Sequence, residues 1–216
     1  KENHMAFPGS TLPGVMGAGA AQTMANINRV LPGSKIVMVG SGNVGLIVSY
    51  QLMQAGAEVI ALVEAAPEIG GYGVHAGKIR RAGVPILVSH TVTKAMGNGK
   101  VEQVEISEVD HHYMPVSGTE QIVDADTVCL AVGLNPMTEL LWMAGCKFCY
   151  IGAFGGHVPM HNQYMETTLK GVYVAGDVTG VEEASSAMEE GRLAGICAAN
   201  SLGLLAPDKA ERLISE

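Results

Sequence analysis

Cysteine, charged residues and long apolar runs are all scarce in this chain of 216 residues. Four cysteines are too few for a disulfide-stapled scaffold, so a reducing, cytoplasmic setting is expected. Positive charge is outweighed: 13 Lys and Arg stand against 21 Asp and Glu, for a net charge of −8. That balance argues against a nucleic-acid partner and against a polybasic membrane surface. Polar residues interrupt every apolar stretch before it reaches the ~18 residues of a membrane span. No charged-then-apolar signal segment opens the chain. The first residue is Lys1 rather than methionine, which suggests a processed product or a piece of a longer protein.

What is abundant is apolar content and glycine. Hydrophobic residues make up 48% and charged residues 16%, enough apolar surface to build a core. There are 28 glycines without a Gly-X-Y period, so they serve turns and close backbone approach. At roughly 100–200 residues per domain, one or two domains are expected.

The pattern along the chain predicts an α/β fold. Residues 1–32 read as a Pro/Gly-rich linker with a short helix over 20–27. Lys35 to Val39 is a short apolar run of the kind buried in a parallel sheet. A glycine-rich turn, a helix over 44–54 and a second strand over 58–63 complete a βαβ unit of about 30 residues. A helix over 72–82 and a strand over 84–89 follow. Short alternating stretches between 90 and 126, with Asn98-Gly99 as a turn signal, predict a small antiparallel meander. Another buried strand is expected over 126–133, a short helix over 138–144, a strand over 171–177 and a long helix over 182–201.

Gly40-Ser41-Gly42-Asn43-Val44-Gly45 matches G-x-G-x-x-G directly after a strand and at the start of a helix. Gly40 permits the tight turn, Gly42 lets the backbone approach a pyrophosphate, and Gly45 lets helix and strand pack closely. The helix start, Asn43 and Val44, offers N–H groups and the positive dipole end to phosphates. Glu64, nineteen residues after Gly45, is placed to accept hydrogen bonds from an adenosine ribose. No cation follows it closely, which favours NAD(H) over NADP(H), although Arg80 and Arg81 lie on the next helix. The alternative for the same glycines is a turn that serves packing alone. Gly176-Asp177 ends an apolar stretch and precedes a long helix. There a carboxylate either faces a ligand crevice or caps the helix; the pattern leaves both open.

Tyr173-Val174-Ala175-Gly176-Asp177-Val178 resembles the second flavin-binding motif of the pyridine nucleotide–disulfide oxidoreductase superfamily. Ala131-Val132-Gly133-Leu134-Asn135-Pro136 is similar to the family's crossover at the end of the NAD domain. Phe7-Pro8-Gly9-Ser10-Thr11-Leu12-Pro13-Gly14-Val15 resembles the linker of flavin subunits of bacterial amino-acid and amine dehydrogenases: sarcosine oxidase alpha, opine and proline dehydrogenase, and hydrogen cyanide synthase.

The resemblance implies a Rossmann-type NAD domain over 33–134 and the returning part of a FAD domain over 135–216. It implies FAD and NAD as cofactors, with Gly133, Gly176, Asp177, Glu183 and Ala184 toward the flavin. The implied reaction is hydride transfer between a nicotinamide and a flavin, with an amino acid or amine as substrate. That family carries an earlier G-x-G-x-x-G unit, which this sequence lacks. The chain is therefore expected to be a fragment completed by a missing N-terminal half or a partner subunit. The alternative is a non-catalytic NAD(H)-binding module.

Other constellations carry less. Cys146-Lys147-Phe148-Cys149 leads into a strand, where i and i+3 point to opposite faces, and no second pair completes a zinc site. His111-His112 reads as a solvated loop. His157 or His161 is an expected neighbour of flavin or substrate. No metal site and no nucleophile–base pair is expected.

Overall fold

The computed structural model describes residues 1–215. The chain divides into two compact units, one of Glu2–Gly133 and one formed by Lys1 with the residues from Leu134 onward.

The first unit begins with β1 (Val15–Gly17) and α1 (Ala18–Asn26). The βαβ unit follows as β2 (Lys35–Val39), α2 (Asn43–Gln54) and β3 (Glu58–Glu64). Next come α3 (Gly73–Arg81), β4 (Ile86–Val88), β5 (His90–Met96), β6 (Gln103–Glu108), β7 (Gln121–Asp124) and β8 (Thr127–Leu130). Five strands form one sheet in the order β1-β8-β2-β3-β4, and every pairing in it is parallel. Strands β5, β6 and β7 form a separate antiparallel sheet, the expected meander.

The two-residue period of β2 separates the layers. Ile36 and Met38 pack with Leu46 and Leu52 of α2 and Ile79 of α3. Val37 and Val39 point the other way, into a cluster with Val92, Val104 and Ile106 of the meander. A strand covered on both faces has no polar side, so β2 reads as a continuous apolar run. The result is three layers: helices, parallel sheet and antiparallel sheet.

The expected linker over 1–32 turns out to hold sheet structure. Val15–Gly17 pairs in parallel with β8 and forms the sheet edge. Helix α1 packs on α2, where Gln22 Nε2 donates to Gln51 Oε1 at 2.8 Å. Three residues are too few to show a strand period; β1 exists because β8, more than a hundred residues later, supplies its partner.

In the second unit, α4 (Glu139–Ala144) leads to a hairpin of β9 (Phe148–Ile151) and β10 (Gly156–Pro159). Helices α5 (Ala184–Ser201) and α6 (Pro207–Ser215) close it. The strand expected over 171–177 does not form a ladder. Tyr173 makes one isolated bridge to Glu166, and Gly176–Val178 is a short 3₁₀ turn. An apolar, extended sequence becomes a strand only with a neighbour to bond, and the described residues of this unit supply that single bridge.

Candidate functional site

The structure brings Gly40, Gly42, Asn43, Val44, Gly45 and Glu64 together where β2 and β3 end and α2 begins. Each glycine has its own physical reason. Gly40 has φ +100° and passes against the Ala131 carbonyl, so a side chain is excluded there twice over. A Cβ on Gly45 would overlap the Gly40 carbonyl oxygen and lie 3.3 Å from the Ala131 Cβ. Gly42 is different: its φ of −62° suits any residue, and a Cβ there would meet nothing within 4 Å. The space beside Gly42 is open.

Gly42 is also the N-cap of α2, and no side chain caps that helix. The first turn of α2 therefore carries the positive end of the helix dipole; Gly71 packs close to Asn43 N, while the position a Gly42 side chain would take is empty. An uncapped N-terminus at a glycine whose side-chain position is empty fits a phosphate group. By this test the residues present suit a dinucleotide.

Glu64, the last residue of β3, reaches back to the loop. Its Oε2 accepts from Ser41 N at 2.8 Å and from Ser41 Oγ at 2.7 Å. Its Oε1 accepts from Ala66 N at 2.9 Å. The carboxylate is thus held in one orientation, with acceptor capacity left for a ribose hydroxyl. Sequence reasoning missed Ser41, which sits at a variable position of the motif. It also missed residues 65–72, which return from Glu64 to bond to Ser41 and Asn43. The paired glycines Gly70-Gly71 were the available signal: a Cβ on Gly71 would lie 2.8 Å from both Asn43 N and Leu46 Cδ1.

Gly133 follows β8 with φ +104°, and its carbonyl accepts from Asn3 N at 3.0 Å. It belongs to the first unit. Gly176, Asp177, Glu183 and Ala184 all lie in the second.

Helix α5 starts at Ala184 with Glu183 as N-cap residue, and no side chain caps it through a hydrogen bond. Asp177 lies six residues before that N-cap and does not cap α5. Its carboxylate is exposed and makes no hydrogen bond among the described residues. A free carboxylate at a glycine turn and an uncapped α5 suit the hydroxyl and anionic parts of a flavin nucleotide.

The turn is braced by Glu190, which sequence reasoning also missed. Its Oε2 accepts from Gly176 N at 2.6 Å and lies 2.8 Å from Thr179 Oγ. Nothing in the residue order marks Glu190, because its role comes from α5 folding back against the turn.

The less promising groups are now placed. Cys146, just before β9, is buried and Cys149, on β9, is half-buried, and both are free thiols. The His111 and His112 rings lie 3.8 Å apart in the exposed turn between β6 and β7. Asp110 in that turn is lowered from its usual pKa by the backbone N–H groups of Met114 and His112. His157 packs edge-on to Trp142 and Tyr150. Among the described residues no cluster could hold a metal ion. No described helix is long and apolar enough to cross a membrane.

An opine oxidase subunit of Agrobacterium tumefaciens is 28% identical over 214 residues, covering 95% of this chain and 42% of that protein. Hydrogen cyanide synthase subunit HcnB of Pseudomonas aeruginosa is 26% identical, covering 97% of this chain and 48% of that one. The chain thus spans less than half the length of these relatives. Among solved structures, thioredoxin reductase of T. acidophilum superposes with a TM-score of 0.66 at 26% identity, over 78% of this chain and 53% of that one. L-proline dehydrogenase of P. horikoshii shares the fold, with a TM-score of 0.63 at 22% identity, over 98% of this chain and 35% of that one. The family model described as pyridine nucleotide-disulphide oxidoreductase matches residues 2–191. With that match across both units, the chain belongs to the pyridine nucleotide-disulphide oxidoreductase family.

Proposed function

We propose that this chain supplies the nicotinamide-dinucleotide site and part of the flavin site of an oxidoreductase. In that reading hydride passes between a nicotinamide and FAD, and an amino acid or amine is the ultimate substrate. The observation that carries the reading is the uncapped α2 N-terminus beside the open face of Gly42, with the Glu64 carboxylate oriented nearby.

The cofactors supply the redox chemistry; the protein binds, orients and shields. The α2 N–H groups and Gly42 hold the pyrophosphate. Glu64 accepts from the adenosine ribose. Residues 65–72 contain no Lys or Arg and one acid, Glu68, so a 2′-phosphate would meet carboxylate without a counter-charge. This favours NAD(H) over NADP(H). Asp177 and the α5 N-terminus, with Glu183 and Ala184, face the flavin nucleotide. Relatives named as subunits support a partner subunit for this chain.

A second reading is a nucleotide-binding module without turnover. The single G-x-G-x-x-G motif in the sequence favours it. The two readings separate in one experiment: the visible spectrum of the purified chain after FAD addition and desalting, with NADH titrated in parallel. A retained flavin band that NADH bleaches supports the oxidoreductase. NADH binding by a colourless protein supports the module. Absence of NADH binding refutes both.

A further inference from the structure

The residue at the centre of the dinucleotide site is neither a glycine nor the acid. Ser41 is fully buried, and all four of its hydrogen-bonding functions are engaged. Its N–H and its hydroxyl both donate to Glu64 Oε2, at 2.8 and 2.7 Å. Its hydroxyl oxygen accepts from Gly70 N at 3.0 Å, and its carbonyl accepts from Gly71 N at 2.9 Å. Two residues further, Asn43 Oδ1 accepts from Tyr72 N at 2.9 Å. The segment 65–72 is therefore fastened to the glycine loop by three successive amides, two of them on Ser41. At its other end Ala66 N is bonded to Glu64, and the Ala66 carbonyl accepts from Ser89 N at 3.0 Å.

We infer that Ser41 is a positioning residue for dinucleotide binding and for discrimination between NAD(H) and NADP(H). The inference rests on the dinucleotide reading above. Its physical basis is that one buried hydroxyl serves two partners. As a donor it aims the Glu64 carboxylate; as an acceptor it pins the strap that walls the adenosine side. The amides of Gly70, Gly71 and Tyr72 are consumed in holding the strap, so they contribute nothing to phosphate binding. The N–H groups of α2 remain available to an anion. Fixing Glu64 also matters for selectivity. A carboxylate held by three donors cannot swing away from a 2′-phosphate, whereas a loosened one can.

Replacing Ser41 by Ala removes the hydroxyl and leaves the backbone bonds. The Gly70 amide loses its acceptor, and Glu64 loses one of three donors. Amide hydrogen exchange at Gly70 in the nucleotide-free protein should accelerate about tenfold or more. Affinity for NADH should fall about tenfold, while affinity for NADPH falls less, so the preference narrows. Ser41→Thr, which keeps a hydroxyl, should restore the preference. Gly71→Ala tests the strap from the other side, since its Cβ must push away from Asn43 N while Ser41 stays intact; NADH affinity should fall there too.

The measurements are NADH and NADPH titration by intrinsic or nucleotide fluorescence, with exchange followed by mass spectrometry. A Ser41→Ala protein with unchanged affinity and unchanged NADH-to-NADPH ratio overturns the inference while leaving the dinucleotide reading in place. A wild-type protein that binds neither nucleotide overturns the reading, and the positioning role falls with it. If Ser41→Ala does not fold, Gly71→Ala decides: retained NADH affinity with a displaced strap overturns the inference.

Discussion

Gly42 offers a way to separate ligand binding from folding with one methyl group. Its backbone, at φ −62° and ψ 173°, is ordinary for an L-residue, and a Cβ would meet nothing within 4 Å. Gly→Ala at such a position reduces unfolded-state entropy, a gain of about 0.4–1 kcal/mol. Alanine is a poorer N-cap than glycine by a similar amount, about 0.5–1 kcal/mol. The two offset, and the melting temperature of Gly42→Ala should move by only about 1–2 °C.

Gly45→Ala is the contrast. Its methyl would overlap the Gly40 carbonyl and press on Ala131. Overpacking of this kind costs about 1–3 kcal/mol and should lower the melting temperature by several degrees. Binding should behave the other way round. In Gly42→Ala the methyl fills the space where a phosphate would approach α2, so NADH affinity should drop at least about tenfold, or ~1.4 kcal/mol. Thermal melts and NADH titrations of both variants make the test. Retained nucleotide affinity in a folded Gly42→Ala would refute the assignment of this glycine to the phosphate.

Other expectations follow from buried and exposed side chains. Burial, and secondarily the charge of Glu2, pushes the Cys129 thiol up from 9.0 to about 12. The folded state then holds its proton more tightly than the unfolded state. The resulting stability is intact below pH 9 and is lost as pH rises toward 12, by up to about 4 kcal/mol. Denaturant melts at pH 8 and 11 should show a larger loss for the wild type than for Cys129→Ala; parallel losses would contradict this. Cys149, only half-buried, should react with iodoacetamide ahead of the three buried thiols, as peptide mass mapping would show. Asp177→Asn should leave the melting temperature unchanged, because the carboxylate has no partner among the described residues, while weakening flavin retention after desalting. Ser49 Oγ is buried on α2 without a hydrogen-bond partner among the described residues. Ser49→Ala should therefore be neutral or stabilising by about 1 kcal/mol in a denaturant melt.

Much of the first unit was legible because its signals are local. The apolar run 35–39, the glycine turn and the alternating stretches of the meander each appear where the pattern put them. Period and turn chemistry act over a few residues, so they survive in sequence order. The elements that were missed depend on distant partners. Val15–Gly17 is a strand because β8 lies beside it. The apolar stretch 171–177 has the composition of a strand but makes a single bridge among the described residues.

The candidate site divides along the same line. Its glycines and Glu64 stand out in the sequence because a tight turn, an approach to phosphate and a strand-end acid are chemical requirements at fixed spacing. What only the tertiary structure decided is how those groups are held. Ser41 became the hub when β3 ended beside β2 and returned its carboxylate and its following strap to one buried hydroxyl. Glu190 became a brace when α5 folded against the Gly176 turn. The sequence by itself determined which donors, acceptors and turns the chain can offer, since residue type and spacing fix them. The orientation of those groups came from packing, because hydrogen bonds between residues far apart in the chain exist only once the layers have closed.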